Sequence, residues 1–346
     1  MATGEKTTIE RESGTRATPR SRAALVPPVL DTPTPIDRIG PGASDPLPGD
    51  PDLVGLYGPA SVAWQLNREA TLLLGAGPRA LLMQIAHPLI AEGVDQHSDF
   101  RADPWRRLQG TLRSYLAIVY GTTTAARAEI RRLNELHGPI RGPVRDPVAR
   151  AVSGRDAYHA RDAALSMWVH ATLIDATLVA HDAWIRRLRR EERVRFYEET
   201  RPIGRAFGIP GSLLPADYDA FEAYLAEQLA PGGPIRVTPT ARELATTILA
   251  PPLEPLHPAL GVIPPPWYAW AMWPAIALLP PAIREAYGLP WGPRERLVAG
   301  WLTTGFRAWR PVLPRAWRTM PQALAADARL AADTRLEPDA RLAADG

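Results

Sequence analysis

Apolar side chains recur at three- and four-residue spacings over most of the chain from about residue 51 to residue 323, and two-residue alternation is scarce. The pattern predicts helices at 61–74, 79–90, 104–120, 125–137, 162–188, 191–207, 215–229, 239–249, 281–287 and 293–309. Their ends carry the expected punctuation. Gly75–Pro78 breaks the first pair, Pro104 opens a helix that Gly121 closes, and Gly138-Pro139 stops the next. The stretch 165–180 is apolar nearly all round, the mark of a central buried helix. The expectation is an all-α protein without a sheet.

The two ends read differently. Residues 1–50 are rich in Pro, Thr, Ser and charge, with few large apolar groups to offset ordering entropy, and read as a disordered N-terminal arm. From about residue 324 the chain is of low complexity. DARLAAD occurs at Asp327–Asp333 and again at Asp339–Asp345, and two copies are too few for a solenoid. A frayed helix or flexible tail is expected over 324–346, leaving 51–323 as the helical domain.

Composition narrows the chemistry. The chain has 346 residues and no cysteine, which removes disulfides, thiolate nucleophiles, iron–sulfur clusters and cysteine-bound metals. Any metal must take His, Asp, Glu or Tyr, and there are seven histidines. The net charge of +3 is small and the arginines are interspersed with acids, so no nucleic-acid partner is expected. The first fifty residues lack the apolar run of a signal peptide, so a cytoplasmic location is expected. The longest uncharged stretch, 255–283, is cut by eight prolines and is a poor spanning helix. Its Trp267, Tyr268, Trp270 and Trp273 suit core packing or, alternatively, peripheral contact with a membrane. Phosphate loops, dinucleotide fingerprints, serine nucleophile elbows and H-E-x-x-H helices are absent from the sequence, and E-x-x-H occurs once, at Glu254–His257, without the second copy a di-iron bundle needs.

Several constellations remain. On a helical wheel Ala126, Ile130, Leu133 and His137 share a narrow arc, so a histidine ends a buried stripe. It is either a core histidine favoured by the helix dipole or a neutral imidazole presented to a haem iron. Arg107 and Thr111 are four apart and share a face, with Ile118 on the same side. An arginine beside a buried face needs an anion, either a protein carboxylate or a cofactor carboxylate such as a haem propionate. His170 stands mid-way along the most apolar helix, with His181 further on, as a bonded core histidine or as a pocket residue orienting a ligand. The segment 84–103 gathers His87, Glu92, Asp95, His97 and Asp99. It reads as a hydrogen-bonded loop or, less specifically, as a non-haem metal site using His87, Asp95, His97 and Asp99.

Taken in order, these stretches resemble the catalytic domain of the MpaB and latex-clearing-protein (rubber oxygenase) family. The matching text is GPASVAWQLNRE from Gly58, LLMQIAHPLIAEGVDQHSDFRADPWRRLQGT ending at Thr111, NELHGPIRG from Asn134 and WVHATLIDA from Trp168. VTPTARELATTIL from Val237, LPPAIREAYGLPW from Leu279 and LPRAWRTMP from Leu313 complete it, so the likeness covers roughly 53–325. It implies a single domain with a globin-like helical core wrapped by flanking helices. It implies haem b, with His137 as iron ligand, Arg107 and Thr111 holding the haem, and His170 in the surroundings. The implied chemistry is dioxygen activation and cleavage of a carbon–carbon double bond in an unsaturated lipid, terpenoid or isoprenoid. Glu92 corresponds to a distal acid that assists catalysis in some members, and Arg107 and His170 belong to the same catalytic set. The family's distal lysine has no counterpart, because the sole lysine is Lys6. The absent export signal argues against insoluble polyisoprene as substrate. The competing expectation is a haem- or lipid-binding protein without catalysis.

Overall fold

The computed structural model describes residues 51–98, 103–249 and 273–344, with side chains placed to residue 333. The N-terminal arm, Asp99, His257 and the Trp267–Trp270 part of the uncharged stretch lie outside the described residues.

The fold is all-α, as the periodicity predicts. In chain order the helices are α1 (Pro51–Val54), α2 (Val62–Asn67), α3 (Ala76–Ile85), α4 (Pro88–His97), α5 (Pro104–Tyr120), α6 (Thr123–His137), α7 (Pro147–Ser153), α8 (Ala163–Trp184), α9 (Arg190–Ala206), α10 (Tyr218–Leu229), α11 (Pro239–Leu249), α12 (Pro281–Ala286), α13 (Pro293–Trp309), α14 (Arg315–Arg318) and α15 (Pro321–Ala344). A short 3₁₀ turn, Ala70–Leu74, precedes α3, and residues 273–278 are also helical. Local chemistry sets the starts. Proline stands in the first turn of α4, α5, α7, α12 and α13, where its missing N–H costs nothing. Side chains of Asp103, Thr122, Asp146, Asp162 and Asp217 accept backbone amides at the N-termini of α5, α6, α7, α8 and α10.

Helix α8 is the axis of the molecule. Trp168, Ala171, Ile174, Leu178 and Trp184 are buried on several of its faces. Its cap, Asp162, is fully buried and paired with Arg155 at 2.6 Å. It is long and apolar enough to cross a membrane, but 67% of its most apolar window is buried inside the protein. Helix α3 lies antiparallel along it. The pairs run Gly75 with Trp184, Arg79 with Asp175 at 2.5 Å, the Met83 carbonyl accepting from Trp168 Nε1 at 3.0 Å, and Gln84 donating to Thr172 at 3.1 Å. A Cβ added at Gly75 would sit 1.8 Å from the Trp184 ring, so the close approach requires glycine there.

Several expectations change. The helix expected at 61–74 is split into α2 and the 3₁₀ turn, and α3 begins at Ala76, inside the expected Gly75–Pro78 break. The helix expected at 79–90 breaks at Ala86-His87, because Pro88 starts a new helix with His87 as its N-cap. A sheet does exist: β1 (Arg141–Pro143) pairs antiparallel with β2 (Ala157–His159), Gly142 opposite Tyr158. Side chains fix this hairpin more than strand propensity does, since a Cβ at Gly142 would collide with Gln96 and the Tyr158 hydroxyl at 2.8 and 2.9 Å. The segment expected as a tail from 324 opens instead inside α15, whose first turns dock on the body. Ala323 and Ala326 are fully buried, Asp327 pairs with Arg68 and Arg315 at 2.7 Å each, and Arg329 donates to the carbonyls of Leu53 and Tyr120.

Candidate functional site

A cleft opens between α3, α4, α5 and α11. Leu81 and Ile85, Ile90 and Val94, Leu108, and Leu244 and Ile248 form apolar walls on those four helices, while Gln84, Ser98, Arg107 and Thr111 supply the polar atoms. Its enclosed volume is about 60 Å³. Apolar walls with a few placed polar groups are the usual make-up of a small-molecule site, but such sites typically hold about 300–1,000 Å³, so this cleft is narrow.

The i, i+4 spacing on α5 brings Arg107 and Thr111 together as expected. The guanidinium donates to Thr111 Oγ1 at 2.5 Å, and that hydroxyl donates to the Arg107 carbonyl at 3.0 Å. Protein atoms crowd the guanidinium enough for desolvation to lower its pKa, although the residue keeps solvent access through the cleft. The two facts describe one position, a cation at the cleft's mouth, and its accessibility keeps the electrostatic cost modest. Among the described residues no carboxylate forms an ion pair with it, and none contributes to its shift.

His137 ends α6 as the wheel predicts, after buried Ala126 and Ile130. Burial is the main cause lowering its pKa, the nearby Arg107 charge is second, and a hydrogen bond with the Leu133 backbone opposes both. Its ring is therefore neutral at pH 7 and close enough to Arg107 to feel its field. Asn134 on the same turn donates to the Ala206 carbonyl at 2.9 Å, fixing the end of α6 against α9.

His170 is buried and lies outside the cleft lining, between α8 and α9. Its Nε2 has no hydrogen-bond partner among the described residues. A Cβ at Gly204 would come within 3.0 Å of that nitrogen, so glycine makes the room that the ring occupies. Desolvation lowers its pKa to about 4. His181, the other histidine of α8, makes an ordinary contact to the Arg186 carbonyl at 3.2 Å.

Glu92 takes a place other than the one expected of a distal base. It is 2% exposed and does not line the cleft. Its carboxylate accepts the Asp146 amide at 2.8 Å, the Arg145 amide at 3.1 Å and Gln96 Nε2 at 2.6 Å. Asp146 in turn caps α7 and accepts from the Thr240 hydroxyl of α11 at 3.0 Å. These bonds run from α4 to α11, two walls of the cleft.

Of the non-haem metal alternative, His87, Asp95 and His97 are described and Asp99 lies outside the described residues. Among the described residues no group of three or more His, Asp or Glu converges. His87 accepts the Leu89 amide at the start of α4, with burial and then the Arg155 charge taking its pKa down to about 4, and His97 bonds the Arg141 carbonyl at 3.1 Å. Sequence reasoning also missed Gln84, Leu244 and Ile248 as cleft residues. Nothing in a helical apolar stripe separates a position facing a cleft from one facing a packed core.

The profile of one family, described as "ER-bound oxygenase mpaB/B'/Rubber oxygenase, catalytic domain", matches residues 64–315. No curated protein and no solved structure matches the chain. The match takes in α5, α6, α8 and α11 and well over half of the chain: the protein belongs to the mpaB/rubber oxygenase catalytic-domain family and is an oxygenase.

Proposed function

We propose that this oxygenase works with haem b and dioxygen on an apolar, unsaturated substrate of the lipid, terpenoid or isoprenoid class. One observation carries the reading. A neutral, desolvated imidazole at the end of α6, itself outside the cleft lining, lies in the field of Arg107, a cleft arginine that has no carboxylate partner among the described residues. A neutral imidazole is what iron takes from a histidine, and an unpaired guanidinium is what a propionate takes from an arginine. The chemistry of these side chains fits the group, and the cleft must widen from about 60 Å³ to admit it. His137 would be its metal ligand, and Arg107, oriented by Thr111, would hold a carboxylate. Bound haem supplies the dioxygen activation and the carbon–carbon cleavage.

The protein's own part is positioning and exclusion of water. The Thr111 hydroxyl holds the Arg107 guanidinium in one orientation, which cuts the entropy lost when an anion binds. The aliphatic walls favour an apolar substrate and keep water from the reacting bond. His170 stays neutral in its packed site and contributes a polar nitrogen to the surroundings without a charge. Glu92 serves as a clamp between walls instead of the general base, since both carboxylate oxygens are already taken.

The test is the absorbance spectrum of the purified protein. A Soret band is expected, and His137→Ala should abolish or strongly weaken it. Arg107→Gln should leave the band but loosen haem retention on gel filtration. A His137→Ala protein fully loaded with haem would remove that residue from the role. A wild-type protein that neither carries haem nor takes up added hemin would overturn the whole reading. Oxygen consumption with unsaturated terpenoids or lipids then addresses the substrate class.

A further inference from the structure

Five large apolar side chains stand in water within one short stretch. Leu297 and Trp301 of α13 are 67% and 79% exposed, Trp309 66%, Val312 68% and Trp317 of α14 74%. Isolated exposed apolar groups are common, but three tryptophans in seventeen residues of sequence are not. Leu297, Trp301, Thr304 and Ala308 fall on one side of α13, and each is exposed.

The charge around them has one sign. Between 293 and 318 the chain carries Arg294, Arg296, Arg307, Arg310, Arg315 and Arg318 against Glu295 alone. These arginines divide into two sets. Arg307 donates to the Asp182 carbonyl, Arg310 pairs with Glu69 and Arg315 pairs with Asp327, so three hold the stretch on the body. Arg294, Arg296 and Arg318 make no ion pair among the described residues. Glu295 is occupied with the Gly292 amide at its own N-terminus.

From this arrangement we propose that the outer surface of α13 and α14 is a docking surface for an anionic lipid bilayer. Tryptophan prefers the headgroup level, where its ring is apolar and its N–H stays wet. Unpaired arginines beside it add attraction to anionic headgroups. A protein partner's apolar pocket would account for the tryptophans alone. The excess of unpartnered positive charge beside them is what selects an anionic membrane. The surface lies apart from the cleft and the residues assigned to haem, so this inference stands whether or not the haem reading does.

Flotation of the full-length protein with vesicles tests it. Vesicles of phosphatidylcholine with 30% phosphatidylglycerol should carry the protein up the gradient, and pure phosphatidylcholine should carry far less. The triple variant Arg294→Gln/Arg296→Gln/Arg318→Gln should lose about fivefold in partitioning per arginine, roughly a hundredfold together. Trp301→Ser/Trp309→Ser/Trp317→Ser should abolish flotation while its thermal melt matches wild type, because all three side chains lie in solvent. Wild-type protein that stays at the bottom with anionic vesicles overturns the proposal. So does flotation untouched in both variants. A concentration-dependent dimer that the tryptophan variant dissolves, without vesicle binding, would make the surface a self-association face and equally overturn the lipid assignment.

Discussion

Replacing Glu92 separates a structural clamp from a catalytic base. The carboxylate has three donors, of which the Asp146 amide is buried and the Arg145 amide and Gln96 are more accessible. Glu92→Ala leaves all three without it. A buried donor left unsatisfied costs about 1–3 kcal/mol, and the two accessible donors recover most of their loss from water. The sum is about 3 kcal/mol. For a helical domain of this size each kcal/mol shifts Tm by about 2–4 °C, so Tm should fall by about 6–12 °C. Glu92→Gln keeps one acceptor oxygen but turns an NH₂ toward amide donors, and should lose about half as much. The assay is a thermal melt by circular dichroism, run beside oxygen consumption. The clamp account requires activity to decline with stability and to recover in part in the Gln variant at low temperature. An Ala variant that melts like wild type yet has no activity would refute it and return Glu92 to the chemistry.

Other perturbations give sharper local readings. Gly75→Ala should destabilise by about 1–3 kcal/mol or more, measured by denaturant midpoint, because the new Cβ meets a Trp184 ring that is 1% exposed and has nowhere to go. A stability equal to wild type would mean that α3 slides along α8. His170 has a folded pKa of about 4 against an unfolded value near 6.5, so the unfolded chain binds the extra proton first. Stability should be full above about pH 6.5 and fall as pH drops toward 4, by roughly 3 kcal/mol from this site. His170→Gln should flatten that part of the pH–stability profile, and an unchanged slope would count against the buried neutral ring. Truncation after Met320 removes buried Ala323 and Ala326 and the Asp327 pairs, and should lower Tm by roughly 5 °C or more. A truncated protein that melts normally would restore the tail reading of that segment.

The helices were legible because their ends are marked by local chemistry. Pro104 and Gly121 delimit α5, and the stripe ending at His137 delimits α6, whatever the rest of the chain does. The Arg107–Thr111 pair was legible for the same reason, since an i, i+4 contact needs no tertiary information. The hairpin was not. Arg141–Pro143 contains a glycine and a proline, and it is held in place by Tyr158 and Gln96 from elsewhere. The docking of α15 was hidden by its charged repeat. Its Arg329 looks solvated in sequence and is spent on two distant carbonyls. The part of Glu92 was hidden likewise, because its two backbone donors lie more than fifty positions away.

The fastening of α3 along α8 has a consequence for traffic. A Gly–Trp contact, an ion pair and two hydrogen bonds spaced over the whole length of α3 leave that helix no independent motion. The cleft therefore has one stationary jaw, carrying Leu81, Gln84 and Ile85. Any widening that admits a bulky guest must come from the opposite jaw of α4, α5 and α11, with the carboxylates of Glu92 and Asp146 as the latch between α4 and α11.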